Sequence, residues 1–248
     1  MAQVLDAVAE LTDPLLDELA MLVRIPSVSG SDAENDAQAH VAGRLAAAGL
    51  DVDHWPIDLA ALSAHPDFPG TEVERREAWG LVGRLPGAGD GATLMLNGHV
   101  DVVPVGDPDM WNGPPFSADI RAGRLHGRGS CDMKAGLIAS LWAVQALRMA
   151  CVRLRGDVVL ASVQGEEDGG LGTFATLQRG WRADACVIAE PTELDVVPRE
   201  LRRAHLPPPH PRPGHARGPA HRGRERDREV LAGLAGSGRA RTPPPRVG

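Results

Sequence analysis

The sequence has three cysteines, one lysine and no apolar run near the roughly 18 residues that a membrane-spanning helix needs. Cys131, Cys151 and Cys186 are odd in number and lack paired spacing, which excludes a disulfide framework and suits a reducing compartment. The start, Met1-Ala-Gln-Val-Leu-Asp6, carries no basic region of the kind that opens a signal peptide, so a cytoplasmic protein is expected. The single lysine, Lys134, is expected to cap or solvate a helix start rather than form a Schiff base. The glycine-rich stretch Gly165–Gly172 has no phosphate-binding lysine, which argues against a nucleotide site. Cys131, beside Asp132, is expected to be inert core.

What is present describes a globular chain. Of 248 residues, 43% are hydrophobic and 24% charged, enough for one or two domains with a sizeable core. The 26 basic and 33 acidic residues give −7, and a weakly acidic whole has no electrostatic reason to bind nucleic acid or anionic lipid. That average conceals a break. Residues 199–248 hold 12 Arg and 4 acidic residues, a local charge of +8, which leaves −15 for residues 1–198.

Within 1–198 the apolar pattern alternates between helices and strands. Asp13-Pro14 reads as an N-cap and first turn, followed by Leu15, Leu16, Leu19, Leu22 and Val23 at helical spacing up to Ile25-Pro26. A second helix is expected over Asp32–Ala48 with Gly49 as its C-terminal cap, and a third from Met133 to Met149. Strands are expected over Leu50–Trp55, Ala78–Leu85, Thr93–Asn97, Val158–Val163 and Ala185–Ala189. Such alternation predicts an α/β layered domain with a mixed, largely parallel central sheet flanked by helices.

Acidic and histidine residues fall at the ends of three of these strands and at one helix start: His99 and Asp101, Asp132, Glu166 and Glu167, and Glu190. Singly, each is a common surface or capping residue. Together, carboxylates gathered at one end of a sheet repel one another unless a cation neutralises them. One imidazole with carboxylates suits Zn²⁺, Co²⁺ or Mn²⁺. In His99-Val-Asp101 the i and i+2 side chains of an extended segment share a face, so Asp101 is expected to accept the second imidazole N–H of His99. A Glu-Glu pair can divide its work, one carboxylate holding metal and its neighbour moving a proton.

Five motifs carry a resemblance. Asn97-Gly-His99-Val-Asp101-Val-Val-Pro104, Trp111-Asn-Gly-Pro-Pro-Phe116, Leu125-His-Gly-Arg-Gly-Ser-Cys-Asp132-Met-Lys-Ala-Gly136, Gly165-Glu166-Glu167 and Ile188-Ala-Glu190-Pro-Thr192 occur in the order of the acetylornithine deacetylase / succinyl-diaminopimelate desuccinylase family. Arg24-Ile-Pro-Ser-Val-Ser29 is similar to that family's N-terminal signature, and the resemblance runs from about residue 10 to 198. The family comprises two-metal amidohydrolases, including aminoacylases and glutamate carboxypeptidases. The resemblance implies two divalent ions, Zn²⁺ or Co²⁺. His99 and Glu190 would hold one, Glu167 the other, and Asp132 would bridge them, with Asp101 orienting His99. Glu166 would be the general base toward a metal-activated water in hydrolysis of the amide of a small N-acyl amino acid. Glu at 190 is similar to the deacetylase and desuccinylase side of the family, and the Asp132-Met133 bond would be cis.

The resemblance also implies an inserted domain, used for homodimerisation and for a substrate-contacting histidine, and a later histidine ligand, neither recognisable here. Residues 199–248 contain 9 of the 21 prolines and no aromatic residue, and are expected to be a disordered tail apart from a frayed helix near 224–236. His205, His210, His215 and His221 are not assigned as ligands. The tail lacks the aromatics that stack on bases and is attached to an acidic body, so a nucleic-acid arm is disfavoured. A frameshift accounts for the break: with permissible codons from Arg199 onward, dropping one base gives Ala-Asn-Ser-Gly-Ala-Leu-Thr-Phe-Arg-Leu-His, similar to the start of the inserted domain. Two readings of function follow. One is a metal-dependent deacylase of N-acyl amino acids, and the other an inactive remnant without the second-metal histidine and the lid.

Overall fold

The structure is a computed structural model and describes residues 1–193. Helices α1 (Ala2–Glu10) and α2 (Thr12–Arg24) meet at Leu11, and α2 stops where Ile25 turns extended ahead of Pro26. Asp13 is not the N-cap that the sequence suggests. Leu11 keeps right-handed helical angles and its carbonyl accepts from Leu15, so the turn begins upstream and Asp13 falls inside it. Next come α3 (Ala33–Ala47), closed by left-handed Gly49, then β1 (Asp51–Pro56) and α4 (Leu59–Ser63), whose Asp58 cap accepts from the Ala61 N–H.

Strands β2 (Trp79–Leu85) and β3 (Leu94–His99) precede a short hairpin of β4 (Asp119–Arg121) and β5 (Arg124–His126), followed by α5 (Lys134–Met149), β6 (Val158–Val163), α6 (Leu171–Gln178) and β7 (Ala185–Ile188). The main sheet runs β1-β2-β6-β3-β7. It is mixed: β1, β2 and β6 pair antiparallel, whereas β6, β3 and β7 pair parallel.

Central strand β6 is buried at every position, as a strand covered on both faces must be. Its alternation splits the core. Val158 and Leu160 pack with Leu19, Leu22, Leu45, Ile138 and Leu141 on the face covered by α2, α3 and α5. Val159 and Ala161 face Trp55, Met95, Leu171 and Ala175 on the side of α4 and α6. The parallel half carries the consequence for function, because it brings the carboxyl ends of three neighbouring strands to one edge. The expected tail over 199–248, its frayed helix and its histidines lie outside the described residues.

Candidate functional site

All six residues singled out in the sequence come to that edge. His99 is the last residue of β3, Glu166 and Glu167 follow β6, Glu190 follows β7, and Asp132 immediately precedes Met133 at the start of α5. His99 Nε2 lies 3.3 Å from Asp132 Oδ1 and 3.8 Å from both Glu166 Oε2 and Glu190 Oε1. His99, Asp132 and Glu167 each offer a ligand atom, all within 4.8 Å of one another. Asp132 does not cap α5; Met133 holds that position, the Asp132-Met133 peptide is cis, and the Asp132 carboxylate turns to His99.

Asp101 is buried in the cluster but does not take the bond expected of it. The His99 Nδ1–H donates to the backbone carbonyl of Asp101 at 2.8 Å, while the nearest Asp101 carboxylate oxygen is 3.6 Å away. The strand ends at His99, so beyond it the i, i+2 alternation no longer directs the side chain. Instead, the carboxylate accepts from the N–H groups of Glu166 and Glu167, each at 3.2 Å, and from the Ser29 hydroxyl at 3.0 Å. Asp101 therefore fixes the turn that carries the glutamate pair, and its carbonyl fixes the ring.

Charge crowding sets the electrostatics. Burial alone would favour neutral His99, but the hydrogen bond to Asp132 and the charges of Asp101, Glu166 and Glu190 hold its pKa up to about 10. Burial and the Asp132 charge push Glu167 up to about 7. Burial, Asp132 and Glu166 do the same for Glu190, opposed by the charge of His99. The bond from His99 holds Asp132 below the usual carboxylate range. An imidazole held through Nδ1 with its Nε2 facing several carboxylates is a donor set that a divalent cation fits, since the cation's charge offsets the burial and the repulsion that raise Glu167 and Glu190.

Around this cluster one residue departs from its expected role, one keeps it, and a group of three goes largely unseen in the sequence. Lys134 neither caps nor solvates: it is fully buried, and its Nζ donates to the carbonyls of Leu22 at 3.0 Å and Ile25 at 2.9 Å, at the end of α2. Burial pushes its ammonium down to about 7, opposed by Asp101. Cys131 is buried, and burial together with Asp132 lifts its thiol to about 11, as an inert core cysteine requires. Glu34, Arg75 and Asp168 form a buried ionic group behind Asp101. Only Glu34 had a sequence signal, Ser31-x-x-Glu34 ahead of a helix, and its carboxylate does reach back to a backbone N–H, that of Gly30 at 2.7 Å.

The chain is similar to several known proteins. N-formyl-4-amino-5-aminomethyl-2-methylpyrimidine deformylase of Bacillus subtilis is 35% identical over 161 residues, 64% of this chain and 34% of that protein. Succinyl-diaminopimelate desuccinylase of Methylobacterium sp. is 38% identical over 183 residues, 71% of this chain and 42% of that protein. The crystal structure of human carnosine dipeptidase 1 shares the fold with a TM-score of 0.61 at 22% identity, over 76% of this chain and 41% of that one. The chain thus spans less than half the length of the relatives it matches. The pattern of peptidase family M20/M25/M40 matches residues 95–220, which includes all six clustered residues and passes beyond the change of composition at 198. With just over half its residues matched, the chain belongs to peptidase family M20/M25/M40.

Proposed function

We propose that this chain is the catalytic portion of a hydrolase that cleaves the amide bond of small N-acyl amino acids. The convergence of His99, Asp132 and Glu167 ligand atoms within 4.8 Å, with Glu166 beside them, carries the reading. Two relatives named a desuccinylase and a deformylase support removal of an acyl group from nitrogen as the reaction class. His99 and Glu190 would hold one divalent ion, Zn²⁺ or Co²⁺, Glu167 a second, and Asp132 would serve both. When bound, such ions supply Lewis acidity, which polarises a carbonyl and lowers the pKa of water.

The remaining work belongs to the protein. Glu166 is half-exposed, with its carboxylate 3.8 Å from His99 Nε2, so it reaches both solvent and the cluster. It takes one proton from the attacking water, whose oxygen bonds to the acyl carbon, and delivers that proton to the amine nitrogen as the C–N bond breaks. Asp101 holds the amides on either side of that carboxylate's attachment, which fixes the backbone from which the base projects.

The test is hydrolysis of N-acetylornithine and N-succinyl-diaminopimelate by the purified chain loaded with Zn²⁺ or Co²⁺. Glu166→Ala is expected to cut turnover by about 10²–10⁴-fold with bound metal unchanged, the range for removing a general base. Metal uptake without turnover, and with no difference between wild type and Glu166→Ala, would assign the chain to the inactive reading. We further propose that residues 1–198 are the catalytic portion and that 199–248 are read out of frame, on the charge of +8 against −15 and the 9 prolines in the final 50 residues.

A further inference from the structure

Behind Asp101, away from the cluster, three charged side chains are almost fully enclosed: Arg75, Glu34 and Asp168 have side-chain exposures of 3%, 2% and 4%. The Arg75 guanidinium donates to Glu34 Oε2 at 2.9 Å and Oε1 at 3.0 Å, and to Asp168 Oδ2 at 2.6 Å. Burying two carboxylates with one guanidinium is an inefficient way to stabilise a fold, because desolvation cancels most of the attraction. What the arrangement does provide is fixed geometry. The forked guanidinium sets the two carboxylates at a defined separation, which a flexible ammonium would not.

The Glu34 carboxylate bonds to two segments that touch Asp101, and Asp168 belongs to one of them. Glu34 accepts from the Gly165 N–H at 3.2 Å through Oε1 and from the Gly30 N–H through Oε2. Gly165 begins the turn whose next two amides, those of Glu166 and Glu167, bond to Asp101, and its φ of +65° suits glycine. Gly30 follows Ser29, whose hydroxyl bonds to the same Asp101 carboxylate. Asp168 closes the turn, and its carbonyl accepts from the Glu72 N–H, which docks the loop that carries Arg75. We infer that Arg75, acting through Glu34 and Asp168, is a positioning residue that sets the Gly165–Asp168 turn and hence the placement of Glu166 and Glu167. Arg75 touches no reacting atom. The inference rests on the reading of the cluster as a metal site.

The test compares full-length wild type, Arg75→Lys, Asp168→Asn and the ligand control Glu167→Gln by Co²⁺ titration, following visible absorption, and by hydrogen exchange of the metal-free proteins. Arg75→Lys keeps the charge but loses the fork. It is expected to speed exchange in the 164–169 and 28–31 segments tenfold or more, leave the α5 core segment 137–146 unchanged, weaken Co²⁺ binding by about 10–100-fold and alter the Co²⁺ spectrum, the scale found for residues that orient metal ligands. If Arg75→Lys loosens the core segment as well, Asp168→Asn decides on the same readouts. A folded variant with wild-type exchange in 164–169 and Co²⁺ affinity within twofold of wild type overturns the inference, whereas Glu167→Gln would still weaken uptake. If the wild type takes up no Co²⁺, or Glu167→Gln leaves uptake unchanged, the metal reading itself falls and the inference falls with it.

Discussion

Asp101 shows how a residue can be found in a sequence for a partner it does not have. Spacing and motif pointed to it as the acceptor for His99, yet a backbone carbonyl takes that bond and the carboxylate serves Glu166, Glu167 and Ser29. Asp101→Asn therefore separates the two roles. One side-chain oxygen is retained, but the new NH₂ faces a backbone N–H donor, so the Glu166–Glu167 turn loosens while His99 keeps its orienting bond. Zn²⁺ affinity is expected to fall about 10–100-fold with the ¹⁵N signature of the Nδ1–H tautomer unchanged; loss of that signature would return the orienting role to the carboxylate. Arg75 and Asp168 were illegible for a simpler reason. Arg75 lies 41 residues from one partner and 93 from the other, and nothing local distinguishes it from the neighbouring Arg76. Lys134 was visible, but its burial was not, because its acceptors are the carbonyls that close α2, 112 and 109 residues away. Lys134→Met should leave those carbonyls without their donor and cost ~1–3 kcal/mol, read as a lowered melting temperature. A melting temperature equal to that of the wild type would show that water replaces the ammonium.

At the scale of elements, hydrophobic periodicity worked where an element buries a full face. Strands β1, β2, β3 and β6 and helices α3 and α5 fall within a residue or two of expectation, because each contributes to the two cores divided by the sheet, and β7 falls as close although it is exposed along its length. It failed where burial is slight. Helix α1 buries only Ala7, and the three-residue strands β4 and β5 are too short to show alternation, although Ala122-Gly123 between them has positive φ at both positions, as a tight hairpin turn requires. Two contacts between elements are open to test. A Cβ on Gly136 of α5 would lie 2.4 Å from the Ala189 carbonyl oxygen, so Gly136→Ala must displace the chain that presents Glu190. Weaker Co²⁺ binding with little change in melting temperature is expected, and unchanged binding would show that Glu190 is not needed to hold the ion. Asp53 on β1 accepts from Arg179 Nη2 at 2.9 Å and Nε at 3.1 Å, and from Trp181 Nε1 at 3.1 Å, beyond the end of α6. The bond from Arg179 holds the Asp53 carboxyl below its ordinary 3.8. Because the folded pKa lies below the unfolded one, the bond stabilises above the unfolded pKa and is lost as pH falls through the folded value. Asp53→Asn should therefore flatten the stability profile on the acid side below about pH 4, measured as melting temperature against pH. A variant whose acid limb runs parallel to wild type would count against it.

For the whole molecule, the site is assembled by topology. Residues from four separate stretches of sequence meet because β6, β3 and β7 are neighbours that run in one direction, an order that no motif spells out. Among the described residues β7 is an edge strand, and Val187 and Ile188 are exposed by 49% and 56%. Exposed apolar edges template association between chains, so Val187→Lys should reduce light scattering of the concentrated protein; equal scattering would mean that β7 is not the contact. The change of composition past residue 198 bears on the proposal that the tail is read out of frame. The observation behind it is a charge of +8 in 50 residues attached to a body at −15. The family match running to residue 220 weighs against that proposal, since it crosses the break. DNA sequence across codons 195–202 separates the two. Under the frameshift proposal, removing one base at codon 199 restores Ala-Asn-Ser-Gly-Ala-Leu-Thr-Phe and continues, uninterrupted by stops, into a sequence with the family's later motifs. If the restored frame closes within a few codons, residues 199–248 are the protein's own, and the proposal is lost whatever their composition.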